Sequence, residues 1–219
     1  MNLYFGDESR FGLFTRNGKA LTAKSVKPIC PFQQVFESTW LFGAFSPLDG
    51  SRYLMEFPYC NSANFQIFMD EFSEYRSDEF KLLTLDNGAF HKAKQLRVPE
   101  NTALLFLPKY SPELNPAEKI WAKFKRDFSN RLFTSMDQLS DYLYDLCRSL
   151  AVKDVRSICA FDYIFDAFWT KNKSLWYNSV GSVSRKSASC TVGGMKLFVR
   201  NDRSKRLRTS RLPAGSQSK

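Results

Sequence analysis

Three acidic residues occupy positions from which their carboxylates could converge on a metal ion. Asp7 lies inside a strand pattern at the start of the chain, where an acid is disfavoured. Asp86 ends a short apolar strand pattern, and Glu118 falls in the first turn of a predicted helix that follows another such strand. Sites in α/β sheets form at the carboxyl ends of strands, and carboxylate oxygens suit hard cations such as Mg²⁺ and Mn²⁺. The three residues therefore predict a divalent-metal site.

Each acid also has a purely structural interpretation. Asp7 could be an edge-strand charge that faces water, and Asp86, followed by Asn87 and Gly88, could begin an Asx turn. Glu118 could be the acid of a capping box, stabilised by the helix N-terminus. Because each acid taken alone fits its structural role at least as well as a catalytic one, the surrounding sequence has to decide.

The sequence around the three acids is more specific than the acids themselves. Three segments carry the pattern: residues 4–12 (YFGDESRFG), 85–92 (LDNGAFHK) and, above all, 107–121 (LPKYSPELNPAEKIW). Together they resemble bacterial insertion-sequence transposases of the mariner superfamily, whose catalytic domain is of the DDE type. The third segment is long and rarely arises by chance, and the resemblance runs in continuous order to residue 168.

The resemblance implies a fold, a site and a reaction. The fold would be α/β and RNase H-like, with a mixed central sheet flanked by helices and a C-terminal helical segment. Asp7, Asp86 and Glu118 would be the catalytic acids and the metal ligands, holding two Mg²⁺ or Mn²⁺ ions. The reaction would be metal-dependent DNA strand cleavage and strand transfer at transposon ends. Its partners would be transposon-end and target DNA, and the active form would be a homodimer.

Residues beside the acids have weaker predictions. Asn87 and His91 match family positions beside the second acid, and Glu8 directly follows the first; all three are expected to support the site. His91 is the only histidine in the sequence, and a lone histidine is more often structural than catalytic. Of the two glutamates in the third segment, Glu118 matches the family's third acid, whereas Glu113 precedes the turn and is expected to be solvated. No Ser-His or Cys-His pattern indicates a protein nucleophile.

Two features depart from the family pattern. Only 31 residues separate Asp86 from Glu118, somewhat fewer than is common in the superfamily, which indicates a shortened loop. The family's catalytic domain follows an N-terminal helix-turn-helix region, whereas this sequence begins almost at the first catalytic strand, so we expect that DNA-reading domain to be absent. The sequence consequently leaves two alternatives open: a non-enzymatic transposase remnant with only nonspecific DNA binding, or an RNase H-like nuclease that acts on another nucleic acid.

Apolar periodicity predicts the elements that would position the acids. Period-two alternation indicates a first strand around Asp7, and further strands are predicted over 39–45, 53–57, 81–85 and 103–107, with a hairpin turn at Asp49 and Gly50. Helices are predicted around 65–72, over 90–96, from Asn115-Pro116, from a Ser135–Gln138 capping box, and over 155–168. Tyr110 and Trp121 are expected to shape the turn and fill the core rather than to stack on bases.

The charge is concentrated at the C-terminal end. Residues 171–219 hold 12 Lys and Arg and a single acid, Asp202, whereas residues 1–170 hold 20 basic and 21 acidic residues. We therefore predict a near-neutral catalytic domain over 1–170 and a basic, disordered tail over 171–219. A basic arm that binds the DNA backbone is the functional alternative for that tail.

The remaining composition excludes several classes of protein. A chain with 43% apolar residues can bury a core. The longest fully apolar run is too short for a membrane span, and the N-terminus lacks a signal-peptide pattern, so a cytoplasmic protein that does not contact the membrane is expected. The five cysteines form no C-x-x-C pair, which argues against a zinc site or a disulfide framework and favours reduced, mostly buried side chains.

Overall fold

A computed structural model describes residues 1–19, 21–27, 29, 31–93 and 95–166. Its regular elements are five strands and four α-helices, with two short 3-10 helices at 89–92 and 112–114. The strands are β1 (Asn2–Gly12), β2 (Ser38–Phe45), β3 (Arg52–Phe57), β4 (Lys81–Leu85) and β5 (Thr102–Phe106). The helices are α1 (Ser62–Glu74), α2 (Ala117–Phe128), α3 (Met136–Ser149) and α4 (Val152–Cys159). The expected tail over 171–219 lies outside the described residues.

The strands form one mixed sheet in the order β3-β2-β1-β4-β5. β1, β2 and β3 are antiparallel neighbours, joined at β2–β3 by a turn in which Gly50 has a φ of +76°, as the hairpin signal predicted. β4 and β5 run parallel to β1 on its other side. The mixed central sheet predicted from the sequence is therefore confirmed, and β1 is its central strand.

Helices cover both faces of this sheet, because successive residues of a strand point to opposite faces. On one face, α1 buries its phenylalanines against Tyr4 of β1 and Phe42 of β2. On the other face, α2, α3 and α4 pack on Phe11 of β1 and Phe45 of β2. Trp121 of α2 belongs to this second core, as predicted.

One glycine lets α2 approach the sheet closely. A Cβ added at Gly43 of β2 would lie 2.6 Å from the ring of Phe45 and 3.0 Å from that of Trp121. Gly43 is the Cα partner of Asp7 across the β1–β2 ladder. The face of β1 that carries Asp7 is therefore the face on which α2 packs.

Three sequence predictions about the elements require correction. The short helix predicted over 90–96 is a single 3-10 turn over 89–92, and the helix predicted over 155–168 is interrupted, since α4 ends at Cys159 and the chain is helical again over 162–166. After Cys159 the backbone turns, and this places Phe161 and Ile164 against Leu3 and Phe5 of β1. The strand predicted as buried over 103–107 is only half buried, since β5 is an edge strand and Leu105 is exposed.

Candidate active site

The parallel register brings the first two acids to the same edge of the sheet. Phe5 of β1 pairs with Thr84 of β4, so two residues further along each strand the register leads to Asp7 and Asp86. Neighbouring strands lie about 4.8 Å apart. Asp7 and Asp86 are thus placed side by side, with Asp86 at the carboxyl end of β4 as the sequence predicted.

The third acid reaches this edge from α2. Glu118 lies in the first turn of α2 and is exposed, as a carboxylate near a helix N-terminus can be. Asn115 fixes the start of this helix, since its Nδ2 donates to the backbone oxygen of Gly6 at 3.1 Å and its Oδ1 accepts from Ala117 N. The buried amide of Asn115 therefore ties the helix start to the residue just before Asp7.

The environment of Asp7 raises the pKa of its carboxyl. Its Oδ2 is buried and has no hydrogen-bond partner among the described residues. Burial raises the pKa of Asp7 well above 3.8, and the negative charges of Glu118, Glu8 and Asp86 raise it further, whereas a backbone hydrogen bond at Glu8 opposes them. The charges of both Glu118 and Asp86 contribute to this shift in the pKa of Asp7, which is consistent with a location of all three acids near the same edge of the sheet.

The imidazole ring of His91 contacts the carboxylate of Asp86. His91 Nδ1 lies 2.8 Å from Asp86 Oδ1, and His91 Nε2 lies 3.1 Å from Glu8 Oε1. The backbone N–H of Gly88 also donates to Asp86 Oδ1, at 2.9 Å. Burial alone would lower the pKa of His91, but the hydrogen bonds and charges of Glu8 and Asp86 outweigh burial and raise it. A ring that is charged donates to both carboxylates.

Asn87 connects the ends of two strands. Its Nδ2 donates to the backbone oxygen of Leu107, just beyond β5, and its Oδ1 accepts from Lys92 Nζ. The Lys92 ammonium lies 4.6 Å from the centre of the Phe106 ring. Asn87 therefore links the loop that follows Asp86 to the end of β5 and to Lys92.

Other predicted residues lie away from the carboxylates or have a different environment. Glu113 is exposed in the 3-10 turn before α2, as expected. Tyr110 is 97% exposed at a φ of +60°, so it shapes the turn but fills no core. Cys60 is only half buried, and its pKa is raised to about 11 by burial and by the charges of Glu8, Asp86 and Asp7.

Sequence reasoning missed two residues near the site. The sequence pattern predicts Asn115 only as a helix cap. Its buried amide makes a second contact, with the backbone oxygen of Gly6 on β1. Cys60 was grouped with the buried cysteines, and nothing in its local sequence distinguishes it. Of the described cysteines, Cys147 and Cys159 are buried, as expected, and all three are free.

The chemistry of the site suits a divalent cation. No three His, Cys, Asp or Glu side chains in the described part of the chain already stand in a metal-binding arrangement. The donors are nevertheless hard carboxylate oxygens. The unpaired Asp7 Oδ2 is buried next to two further acids, so a cation would offset both its missing partner and the mutual repulsion. Glu118 is exposed enough for its side chain to rotate towards an ion, and the exposed Asp86 carboxylate uses only Oδ1 in its contacts with Gly88 and His91.

Comparison with known proteins identifies related chains. Residues 2–140 match the family model described as DDE superfamily endonuclease. The chain is also 38% identical over 103 residues to the uncharacterized protein y4pE/y4sA of Sinorhizobium fredii (strain NBRC 101917 / NGR234), covering 46% of this chain and 76% of that protein.

Solved structures show the same fold. The Mos1 strand transfer complex aligns with a TM-score of 0.58 at 15% identity, over 85% of this chain and 56% of that chain. The mariner Mos1 paired end complex with Mg aligns with a TM-score of 0.58 at 16% identity, over 85% and 57% of the two chains. This chain thus spans little more than half the length of these neighbours. The RNase H-like fold expected from the sequence is confirmed. Among the described residues, no helix has the length and apolarity to cross a bilayer.

Proposed function

The chain belongs to the DDE superfamily of endonucleases, and we propose that it is the catalytic domain of a transposase, which cleaves DNA strands at transposon ends and transfers them to target DNA. The observation that carries the proposal is the buried, unpaired Oδ2 of Asp7, a carboxyl whose pKa is raised by burial and by the charges of Glu118, Glu8 and Asp86. Such an arrangement costs folding free energy, and a divalent cation is the partner that would recover it.

We assign Asp7, Asp86 and Glu118 as the ligands of Mg²⁺ or Mn²⁺. Divalent ions in such sites activate water, stabilise the leaving oxygen of a phosphodiester and clamp the scissile phosphate. Asp7 has a fixed position on the central strand, whereas Asp86 and Glu118 come from the elements on either side. The three side chains would orient the phosphate against the sheet edge, and no protein nucleophile is required.

DNA is the partner that this assignment implies. The solved neighbours are named as transposon-end and strand-transfer complexes, and we extend that partner to this chain together with a homodimer as its active form. The charge of residues 171–219 supports backbone binding by that segment, since Lys and Arg that neutralise phosphates release counterions. Binding through the tail should then weaken steeply with salt and ignore DNA sequence.

Cleavage of supercoiled plasmid by the full chain tests the function. We expect nicking with Mg²⁺ or Mn²⁺, none with EDTA, and loss of nicking in Asp7→Asn, Asp86→Asn and Glu118→Gln. Glu113→Gln is the matched control, because Glu113 is an exposed acid five residues before Glu118 and should be dispensable. Equal activity in Glu113→Gln and Glu118→Gln would overturn the assignment of the third acid.

Two further substrates separate the alternatives. A duplex with a recessed 3′-hydroxyl, incubated with plasmid, reports strand transfer through joined products. Cleavage of an RNA–DNA hybrid without cleavage of duplex DNA would instead identify an RNase H-like nuclease. Salt-sensitive DNA binding without cleavage of any substrate would indicate a transposase remnant.

A further inference from the structure

His91 is buried and closely packed, whereas Asp86, the acid that it contacts, is exposed. His91 is 2% exposed, and its ring centre lies 4.6 Å from that of Phe65 and 4.1 Å from that of Phe90. Asp86, in contrast, has a side chain that is 59% exposed. The packed ring therefore has a fixed orientation, whereas an isolated Asp86 carboxylate would sample several rotamers.

The other end of the histidine is anchored on the central strand. Glu8 is adjacent to Asp7 on β1, so its side chain points to the opposite face of the sheet. Its Cα partner is Phe42, whose ring lies in the core beneath α1. There the Glu8 side chain is 8% exposed and contacts His91 Nε2. The two neighbouring acids of β1 thus lie on opposite faces of the sheet: Asp7 lies on the face that α2 covers, and Glu8 lies on the face that carries His91.

The contacts of Asp86 are divided unequally between its two oxygens. Oδ1 receives both His91 Nδ1 and the backbone N–H of Gly88. Within the described part of the chain, Oδ2 has no such partner. A Cβ at Gly88 would crowd this geometry, because it would lie 3.0 Å from Asp86 Oδ1 and 3.1 Å from His91 Nδ1.

We propose that His91, anchored by Glu8, is a positioning residue that holds Asp86 by Oδ1 and so presents only Oδ2 to a divalent ion. The inference rests on the proposed function, since it assumes that Asp86 is a metal ligand. Partners that orient a ligand contribute to affinity without touching the metal, because the ligand no longer has to be ordered when the ion binds.

Two substitutions of matched polarity test the positioning role. In His91→Asn the amide nitrogen takes the place of ring Nδ1 and can donate to Asp86, but it does not reach Glu8. In His91→Gln the amide nitrogen takes the place of ring Nε2 and can donate to Glu8, but not to Asp86. Both variants keep a neutral amide in the same pocket, so general damage to packing affects them alike.

Titration of the full chain with Mn²⁺ by calorimetry is the measurement, and thermal unfolding of each variant checks that it is folded. We expect His91→Gln to bind Mn²⁺ about 10- to 100-fold more weakly than the wild type, and His91→Asn to stay much closer to the wild type. Equal losses in the two variants, no loss in either, or a larger loss in His91→Asn would overturn the positioning role.

The same titration separates this inference from the proposed function. If the wild type binds Mn²⁺ and His91→Gln binds it equally well, only the role of His91 fails, and the metal site stands. If the wild type itself binds no Mn²⁺, the proposed metal-dependent function fails, and the positioning role fails with it.

Discussion

Replacing Asp7 with Asn should stabilise the metal-free protein while abolishing its cleavage of DNA. Asp7 is half buried, its Oδ2 is buried without a hydrogen-bond partner among the described residues, and Glu118, Glu8 and Asp86 add like charge nearby. An amide of the same shape carries no charge to desolvate. Its nitrogen can also donate to the acids that repel the carboxylate. The substitution should therefore relieve a cost that the folded state otherwise carries.

The size of the effect follows from the cost of an unsatisfied buried acceptor. Such a group costs about 1–3 kcal/mol, and more when it is charged. We expect Asp7→Asn to raise the free energy of unfolding by about 1–3 kcal/mol. For a chain of this length each kcal/mol raises the Tm by about 2–4 °C. Asp86→Asn is the matched control and should be destabilising, because it weakens the contact with His91.

The difference between wild type and Asp7→Asn should depend on pH. The pKa of Asp7 is raised in the folded state above 3.8, so the folded wild type binds this proton more tightly than the unfolded chain does. The stability that the folded wild type gains from protonation of Asp7 is therefore fully present below pH 3.8. This contribution is lost as the pH rises through the raised pKa. The advantage of the amide should be largest at neutral pH and smallest in acid.

Urea unfolding of both variants at several pH values, with and without Mn²⁺, provides the test. An ion that binds only the folded state at 100 times its Kd adds about 2.7 kcal/mol, and this gain should appear in the wild type but not in Asp7→Asn. A loss of stability in Asp7→Asn at neutral pH, or an equal Mn²⁺ effect in both proteins, would refute the reasoning.

Three further substitutions probe the framework of the site. Asn115→Ala removes the hydrogen bond to the Gly6 carbonyl and the bond that caps the start of α2. We expect it to lower the free energy of unfolding in urea by about 1–3 kcal/mol and to reduce plasmid nicking. A smaller loss of stability than in Glu113→Ala would contradict this expectation. Lys81→Met removes a buried ammonium that donates to three backbone carbonyls. We expect it to lower the Tm and to reduce the free energy of unfolding by about 1.5–3 kcal/mol. Tyr110→Gly should be more stable than Tyr110→Ala, because only glycine relieves the φ of +60°; equal unfolding midpoints would show that no strain is present.

The sequence was sufficient for the elements and for the identity of the candidate acids. Period-two alternation predicted β1, apolar runs and a hairpin signal predicted the other four strands, and helical periodicity with capping patterns predicted the cores of α1, α2 and α3. The motifs around Asp7, Asp86 and Glu118 placed them on β1, after β4 and at the start of α2, where the structure has them. Edge exposure and the end of α4 were mispredicted, because both depend on neighbours distant in sequence.

The contacts behind the acids could not be predicted in the same way. Glu8 and His91 are 83 residues apart, and Asn115 contacts a strand 109 residues away. The sequence marked Glu8, Asn87 and His91 as supporting residues but did not indicate which atoms they hold. Those assignments require the parallel register of β1 and β4, which no local pattern specifies.

The location of Asp7 on the central strand explains how its unfavourable carboxylate is retained. On an edge strand the side chain could turn to solvent and lose its perturbed pKa. β1 is instead hydrogen-bonded to β2 and β4, covered by α2, and tied at Gly6 to Asn115. Local relaxation is therefore prevented, and the charge can be relieved only by a proton or by a cation. A divalent cation would compete with that proton for Asp7, so the burial and like charge that raise its pKa are also the physical basis for proposing metal binding at this edge.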